Sequence, residues 1–258
     1  MIRLEPGTDL LGRFSRELLG PDPVFSPETR PDLGGYTQED LEAAHQAWTE
    51  RIVDEYRSVV VFAELLQRLG ECEAPFETLA AVHTLLGDEL RHTALCARVA
   101  GWFGPSSRFT VDLSGLALPP SEDPPGVRAL EIIVRELVVA EAESVVSFLA
   151  YRDATRDPLV KGALGMLLRD EVRHAAAGER LQAALEDHLG DLLPDSERER
   201  LERTVAEDRA YLRDRYDQGA QGGPGRALGA CITREDLDAA RRSLQRDRAT
   251  GVKPSLAP

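Results

Sequence analysis

Apolar residues recur along most of this chain at the three- and four-residue spacing of helices, not the two-residue spacing of strands. Trp48, Ile52, Val59 and Phe62 form one stripe, and Val82, Leu85, Leu86 and Cys96 a second. Val134, Leu137, Val138, Val145 and Phe148 form a third, and Leu164, Leu167, Leu168 and Leu181 a fourth. Breakers divide them: "GECEAP" (70–75) ends the first helix, and "RDP" (156–158) makes a tight turn after the third. Thr37, with acidic residues behind it, is a helix start signal. The pattern predicts helices over about Thr37 to Leu69, Phe76 to Trp102, Val127 to Arg156 and Pro158 to Leu189. The proline-rich stretch from Gly104 to Gly126 cannot be helical throughout. Short loops make antiparallel neighbours, so the expected fold is all-α: two helix hairpins joined by a long crossover, a four-helix bundle over residues 38–190.

The flanks read differently. Residues 1–37, rich in Pro and Gly, form an irregular arm with a short helix around Leu10 to Leu19. Residues 191–258 form a C-terminal extension: a charged helix from about Ser196 to Tyr216, a flexible loop "QGAQGGPGRALG", and a last helix from about Thr233 to Arg246.

Two nearly identical charged pentapeptides interrupt the apolar stripes: "DELRH" at Asp88–His92 and "DEVRH" at Asp170–His174. Residues three apart share a helix face, so Glu89 with His92, and Glu171 with His174, each present a carboxylate and an imidazole together. The residues flanking each pair are apolar, so both pairs face the core. A buried carboxylate costs several kcal/mol unless it is paired or binds a metal. One Glu-x-x-His is ordinarily a surface pair. Two on apolar faces, each with Asp before and Arg inside, point to a metal site.

Two such helices supply half of a dinuclear carboxylate site, and the other two helices contribute one Glu each. In a hairpin, residues at equal height are equidistant from the turn. Reflecting Glu89 through Cys72 gives Glu55, and reflecting Glu171 through Arg156 gives Glu141. Glu143 is a rival, but its face mixes Val139 and Val146 with Glu136, Ser147 and Ala150; it reads as solvated. Glu64 would place the turn inside "PFET" and does not fit. The candidate metal ligands are therefore Glu55, Glu89, His92, Glu141, Glu171 and His174. Oxygen donors with only two imidazoles suit Fe or Mn better than Zn, and four carboxylates balance two divalent ions. Metal-bound histidines usually donate their second N–H to an acceptor. Asp88 is expected to hold His174, and Asp170 to hold His92, with Arg91 and Arg173 neutralising the aspartates.

Composition narrows the function. A formal charge of −14 over 258 residues argues against a nucleic-acid surface or an anionic membrane surface. Three scattered cysteines make neither a disulfide framework nor a zinc site. No stretch reaches transmembrane length and no signal peptide is visible, so a cytoplasmic location is expected. There is no GxGxxG loop and no Fe–S cysteine set.

Glu55, then "DELRH", a crossover, Glu141 and "DEVRH" together resemble the ferritin-like diiron-carboxylate superfamily over about residues 38–190. The doubled D-E-x-R-H is more similar to its oxygenase and oxidase branch, such as bacterial multicomponent monooxygenase hydroxylases, than to cage-forming ferritins. The resemblance implies a bundle whose two irons activate O2 to hydroxylate, desaturate or N-oxygenate a small organic substrate. Electrons would come from a separate reductase or ferredoxin. Homodimers are common in that superfamily, and no feature of this sequence demands one. The alternative is a ferroxidase, or a peroxide scavenger of the rubrerythrin or manganese-catalase kind. Ribonucleotide reductase small subunits carry a radical tyrosine one turn past the first motif histidine. Here that position is Cys96, which is expected to line the substrate pocket instead. His45, His83 and His188 lie too far away or on the wrong face to be ligands.

Overall fold

The structure, a computed structural model, describes residues 29–104 and 116–250. The helix expected around Leu10 to Leu19 and the middle of the crossover lie outside the described residues. Those described are all-helical, with one isolated β-bridge between Gln221 and Thr233. None of their helices is long and apolar enough to cross a membrane.

Local chemistry sets the helix ends. Helix α1 (Gln38–Glu71) opens on a capping box: Thr37 Oγ1 accepts the Asp40 N–H and Asp40 Oδ2 accepts the Thr37 N–H, both at 3.1 Å. Such a cap is worth about 1 kcal/mol. Helix α2 (Phe76–Phe103) starts after Pro75. The third expected helix is broken into α3 (Pro125–Ile132), a π-helical segment (Ile133–Ala140) and α4 (Glu141–Ala154). Helix α5 (Pro158–Leu189) begins at Asp157, whose Oδ1 accepts the Leu159 and Val160 N–H groups at 3.0 Å. Pro158 fills the first position, where a missing N–H costs nothing. Helices α6 (Asp195–Gly219) and α7 (Arg234–Thr250) follow.

Helix α1 packs along α2 and α4 along α5, while α2 meets α5 across the middle; α6 lies on the π segment and α7 on α4. Three apolar clusters form between them. One contains Phe62, Leu65, Leu85, Ile133, Leu137 and Leu185; a second contains Trp48, Ile52, Cys96, Val99, Leu164 and Leu167; a third, where α7 covers α4, contains Val145, Leu149, Leu168 and Leu237. Each such side chain contributes about 1.5–3 kcal/mol on burial. Helices α1, α2 and α5 each pass from the first cluster to the second, and the six candidate ligands lie in the gap between those two.

Two departures from the expected fold bear on the site. The π segment widens the helix just before Glu141, whose N–H still bonds back five residues to the Glu136 carbonyl. Such segments concentrate at functional sites. Opposite it on α5 lies Gly178, where an added Cβ would fall 2.8 Å from the Leu137 carbonyl carbon. A glycine therefore sets how closely the π segment approaches α5.

The second departure is the glycine-rich loop, which is docked rather than flexible. Trp48 Nε1 donates to the Leu228 carbonyl at 3.0 Å, the Gly225 N–H to Asp40 Oδ1 at 2.6 Å, and the Arg156 N–H to the Ala227 carbonyl at 3.0 Å. Gly225 has φ +70°, and an added Cβ would sit 2.8 Å from the Asp40 carbonyl oxygen. Glycine here permits a left-handed turn and a close approach to α1, so a composition that suggests flexibility instead serves docking.

Candidate metal centre

Glu55, Glu89, His92, Glu141, Glu171 and His174 are each 7% exposed or less, so none is relieved by bulk water. They form two overlapping groups. Ligand-type atoms of Glu55, Glu89, His92 and Glu171 lie within 4.8 Å of one another, as do those of Glu89, Glu141 and His174. Glu89 directs Oε2 at His92 Nδ1 (3.8 Å) and Oε1 at His174 Nδ1 (3.0 Å). Glu171 does the same with Oε1 (3.5 Å) and Oε2 (3.9 Å). Glu55 approaches only His92, at 3.3 Å, and Glu141 only His174, at 3.8 Å. Two carboxylates thus span both imidazoles, whose ring centroids are 5.7 Å apart, and two serve one imidazole each.

The inner faces lack hydrogen-bond partners. His92 Nδ1, His174 Nδ1 and Glu89 Oε1 are buried and have none among the described residues; the 3.0 Å contact is close enough for a hydrogen bond but out of line for one. The outer faces are engaged. Asp170 Oδ2 lies 3.2 Å from His92 Nε2, and Asp88 Oδ2 lies 3.2 Å from His174 Nε2. Each aspartate meets the histidine of the other motif. Arg173 bridges Asp88 (3.0 Å) and Asp170 (2.6 Å), and Arg91 contacts Asp88. An N–H given outward from Nε2 turns the Nδ1 lone pair inward, where a cation would take it.

Protons stand in for cations in this arrangement. Burial raises Glu55 to about 7, partly offset by His92. Burial and the neighbouring Glu141 and Glu89 push Glu171 well above the carboxylate range. Burial would also raise Glu89, but the two imidazoles outweigh it and hold it at about 2. Burial alone would lower His174, but Glu141 and Glu89 raise it to about 9. Four buried carboxylates and two imidazoles with unpartnered inner atoms form two overlapping donor groups, each of which could hold a metal ion.

Several expectations need correction. Glu143 is not solvated: it is 3% exposed, and its Oε1 accepts from Arg213 Nε at 3.0 Å with Arg209 3.9 Å away. Helix α6, from the C-terminal extension, covers that face, which the stripe on its own helix could not show. Glu143→Gln is expected to leave metal content at the wild-type level and to lower stability by about 1–2 kcal/mol, the worth of a charge-assisted bond. Metal analysis and chemical denaturation check this, and loss of metal would make Glu143 a ligand. Cys96 is not on the wall of the cavity beside the cluster: it is 0% exposed, packed with Trp48, Ile52 and Val99. His45 and His188 meet backbone carbonyls, of Ala100 and Cys72, each at 3.0 Å, and His83 is exposed.

A cavity of about 520 Å³ opens onto the cluster between α1, the π segment, α4 and α6. Glu55, Glu89, Glu141 and Glu171 line it; His92 and His174 do not. Sequence reasoning missed most of its wall, and Arg51 is the residue there with the most unusual surroundings. Arg51 is buried with its guanidinium between the rings of Trp48 and Tyr151. The available signal was its position one turn before Glu55 on the same apolar face.

Comparison with protein families, curated proteins and solved structures finds no match to this chain. What it does must be argued from the site.

Proposed function

We propose that this protein is a diiron oxygenase or oxidase of the ferritin-like four-helix-bundle kind, acting on a small organic substrate. The observation that carries the reading is the pair of carboxylates, Glu89 and Glu171, each spanning two inward-facing histidine nitrogens that have no hydrogen-bond partner. In this reading Glu55, Glu89, His92, Glu141, Glu171 and His174 would together hold the metal. Bound iron would supply the reduction of O2 at open coordination positions.

The chain's own groups have distinct parts. Asp88 and Asp170 orient the imidazoles through Nε2, and Arg173 ties the two aspartates together. The apolar clusters above and below keep water from the ligands. The cavity meets the carboxylate side only, so substrate would approach between α1, α4 and α6, and its volume suits a small molecule. Electrons would come from a separate reductase or ferredoxin, and the expected location is the cytoplasm.

One observation favours a second reading. Glu50, Asp54 and Asp208 on the cavity wall would suit passage of a cation, as a ferroxidase requires. Metal analysis, anaerobic Fe(II) loading and mixing with O2 decide between them. Two irons per chain and O2 uptake that stops near about one O2 per pair, absent a reductant, supports the oxygenase. Continued oxidation of many irons per chain supports the ferroxidase, and two manganese ions in protein as isolated support the scavenger. Failure to bind any metal removes all three.

A further inference from the structure

Arg51 is 9% exposed, on the wall of the cavity. Its guanidinium carbon sits 4.7 Å from the Trp48 ring centroid and 4.3 Å from that of Tyr151, so the planar group is held between two aromatic faces. Nη1 is fully buried and has no hydrogen-bond partner, and no carboxylate among the described residues forms an ion pair with Arg51. The other arginines of the cavity are served. Arg57 forms a two-pronged pair with Glu136 at 2.8 and 2.9 Å, Arg135 pairs with Asp208 at 2.9 Å, and Arg215 is exposed to water. Glu50 and Asp54 line the same cavity; the charge of Arg51 acts on Asp54, but neither carboxylate forms an ion pair or hydrogen bond with it.

A guanidinium cannot shed its charge and carries five N–H donors in a fixed plane. Leaving such a donor buried and unsatisfied is costly, because it has given up its water and gained nothing in return. Aromatic rings satisfy its two faces but not its edge, and the edge matches the two oxygens of a carboxylate. We propose that Arg51 binds a carboxylate group of the substrate, which is therefore a small organic acid. The inference rests on reading the cavity as a substrate pocket. It also fixes direction. Glu55 lies one helical turn, about 6 Å, further along the same face of α1, so a ligand anchored at Arg51 extends toward the carboxylate cluster. Phe62 and Phe148 on the same wall favour an apolar body behind the acid.

The test is calorimetric titration of the full chain, metal content measured on the same sample, with benzoate, phenylacetate and hexanoate and with their amides. At least one acid is expected to bind tenfold or more tightly than its amide. Arg51→Gln should abolish that preference by weakening the acid tenfold or more, with amide binding and metal content unchanged. If Arg51→Gln does not fold, Arg51→Lys replaces it. An ammonium lacks the planar fork, so the acid should weaken about fivefold while the amide does not. No preference for any acid, or a preference that survives in the Arg51 variant because the acid sits on the metal instead, overturns the proposal. Arg51-dependent acid binding in protein that holds no metal would leave this inference standing and remove the diiron reading. Two metal ions with Arg51-independent binding would do the reverse.

Discussion

His174→Ala is expected to lower bound metal from two ions per chain to one or none while the helical content stays at the wild-type level. His174 is 0% exposed, and its Nδ1 faces Glu89, Glu141 and Glu171 at 3.0–3.9 Å. Without the imidazole, the ion beside Glu141 would keep carboxylates alone. Removing an outer partner of a metal-bound histidine typically costs about 10–100-fold in affinity, and removing the ligand itself costs more. The fold should survive, because the apolar clusters on either side of the gap do not depend on His174. Metal analysis beside circular dichroism, with the exposed His83→Ala as control, reads both quantities. Two ions retained in His174→Ala would sink the ligand assignment.

In metal-free protein, stability should depend on pH in a direction opposite to ordinary acid denaturation. In metal-free protein Glu55 is raised from 4.5 to about 7, so the folded state binds more protons than the unfolded state across that window. Stability contributed by Glu55 is therefore lost as pH rises through about 7. His174, raised from 6.5 to about 9, likewise contributes stability that is lost as pH rises through about 9. Glu89, lowered to about 2, contributes the opposite dependence, but only below 4.5. From about pH 5 to about pH 9 the metal-free protein should thus become steadily less stable. Bound metal would replace those protons, and at a free concentration 100 times its Kd it would add about 2.7 kcal/mol per site, or several degrees in Tm. Thermal unfolding with and without chelator at pH about 6 and about 8 should show a gap that widens with pH. A metal-free protein whose Tm is flat across that range would show that the carboxylates are not charged and crowded as described.

Which parts of this molecule could be read from the sequence follows from how far each cause reaches. Helix existence and ends depend on neighbours within a few positions, so Pro75, Asp157 and the Thr37–Asp40 box were readable. The π segment was not, because "IVRELVVA" is an ordinary helical sequence. What accompanies its widened turn is a glycine on another helix, Gly178. Face and height are also local properties. The period of a helix and the reflection through a short turn single out Glu55 and Glu141, and both fall into the buried groups with the two motifs.

Residues whose environment comes from a distant segment could not be read in this way. The burial of Glu143 depends on Arg213, seventy positions away, and the docking of the glycine-rich loop on Trp48 and Asp40. Arg51 gains its aromatic sandwich only because Tyr151 reaches it from α4. Cys96 turns out to be core because the open side of the cluster is the carboxylate side. Periodicity and turn length act within single hairpins, so the recurrence of carboxylates and imidazoles at one height of an all-helical chain was already legible in the residue order. Tertiary structure alone decided which side of that cluster is open, what covers the other faces, and which cation is left without a partner, since those follow from contacts between segments far apart in the chain.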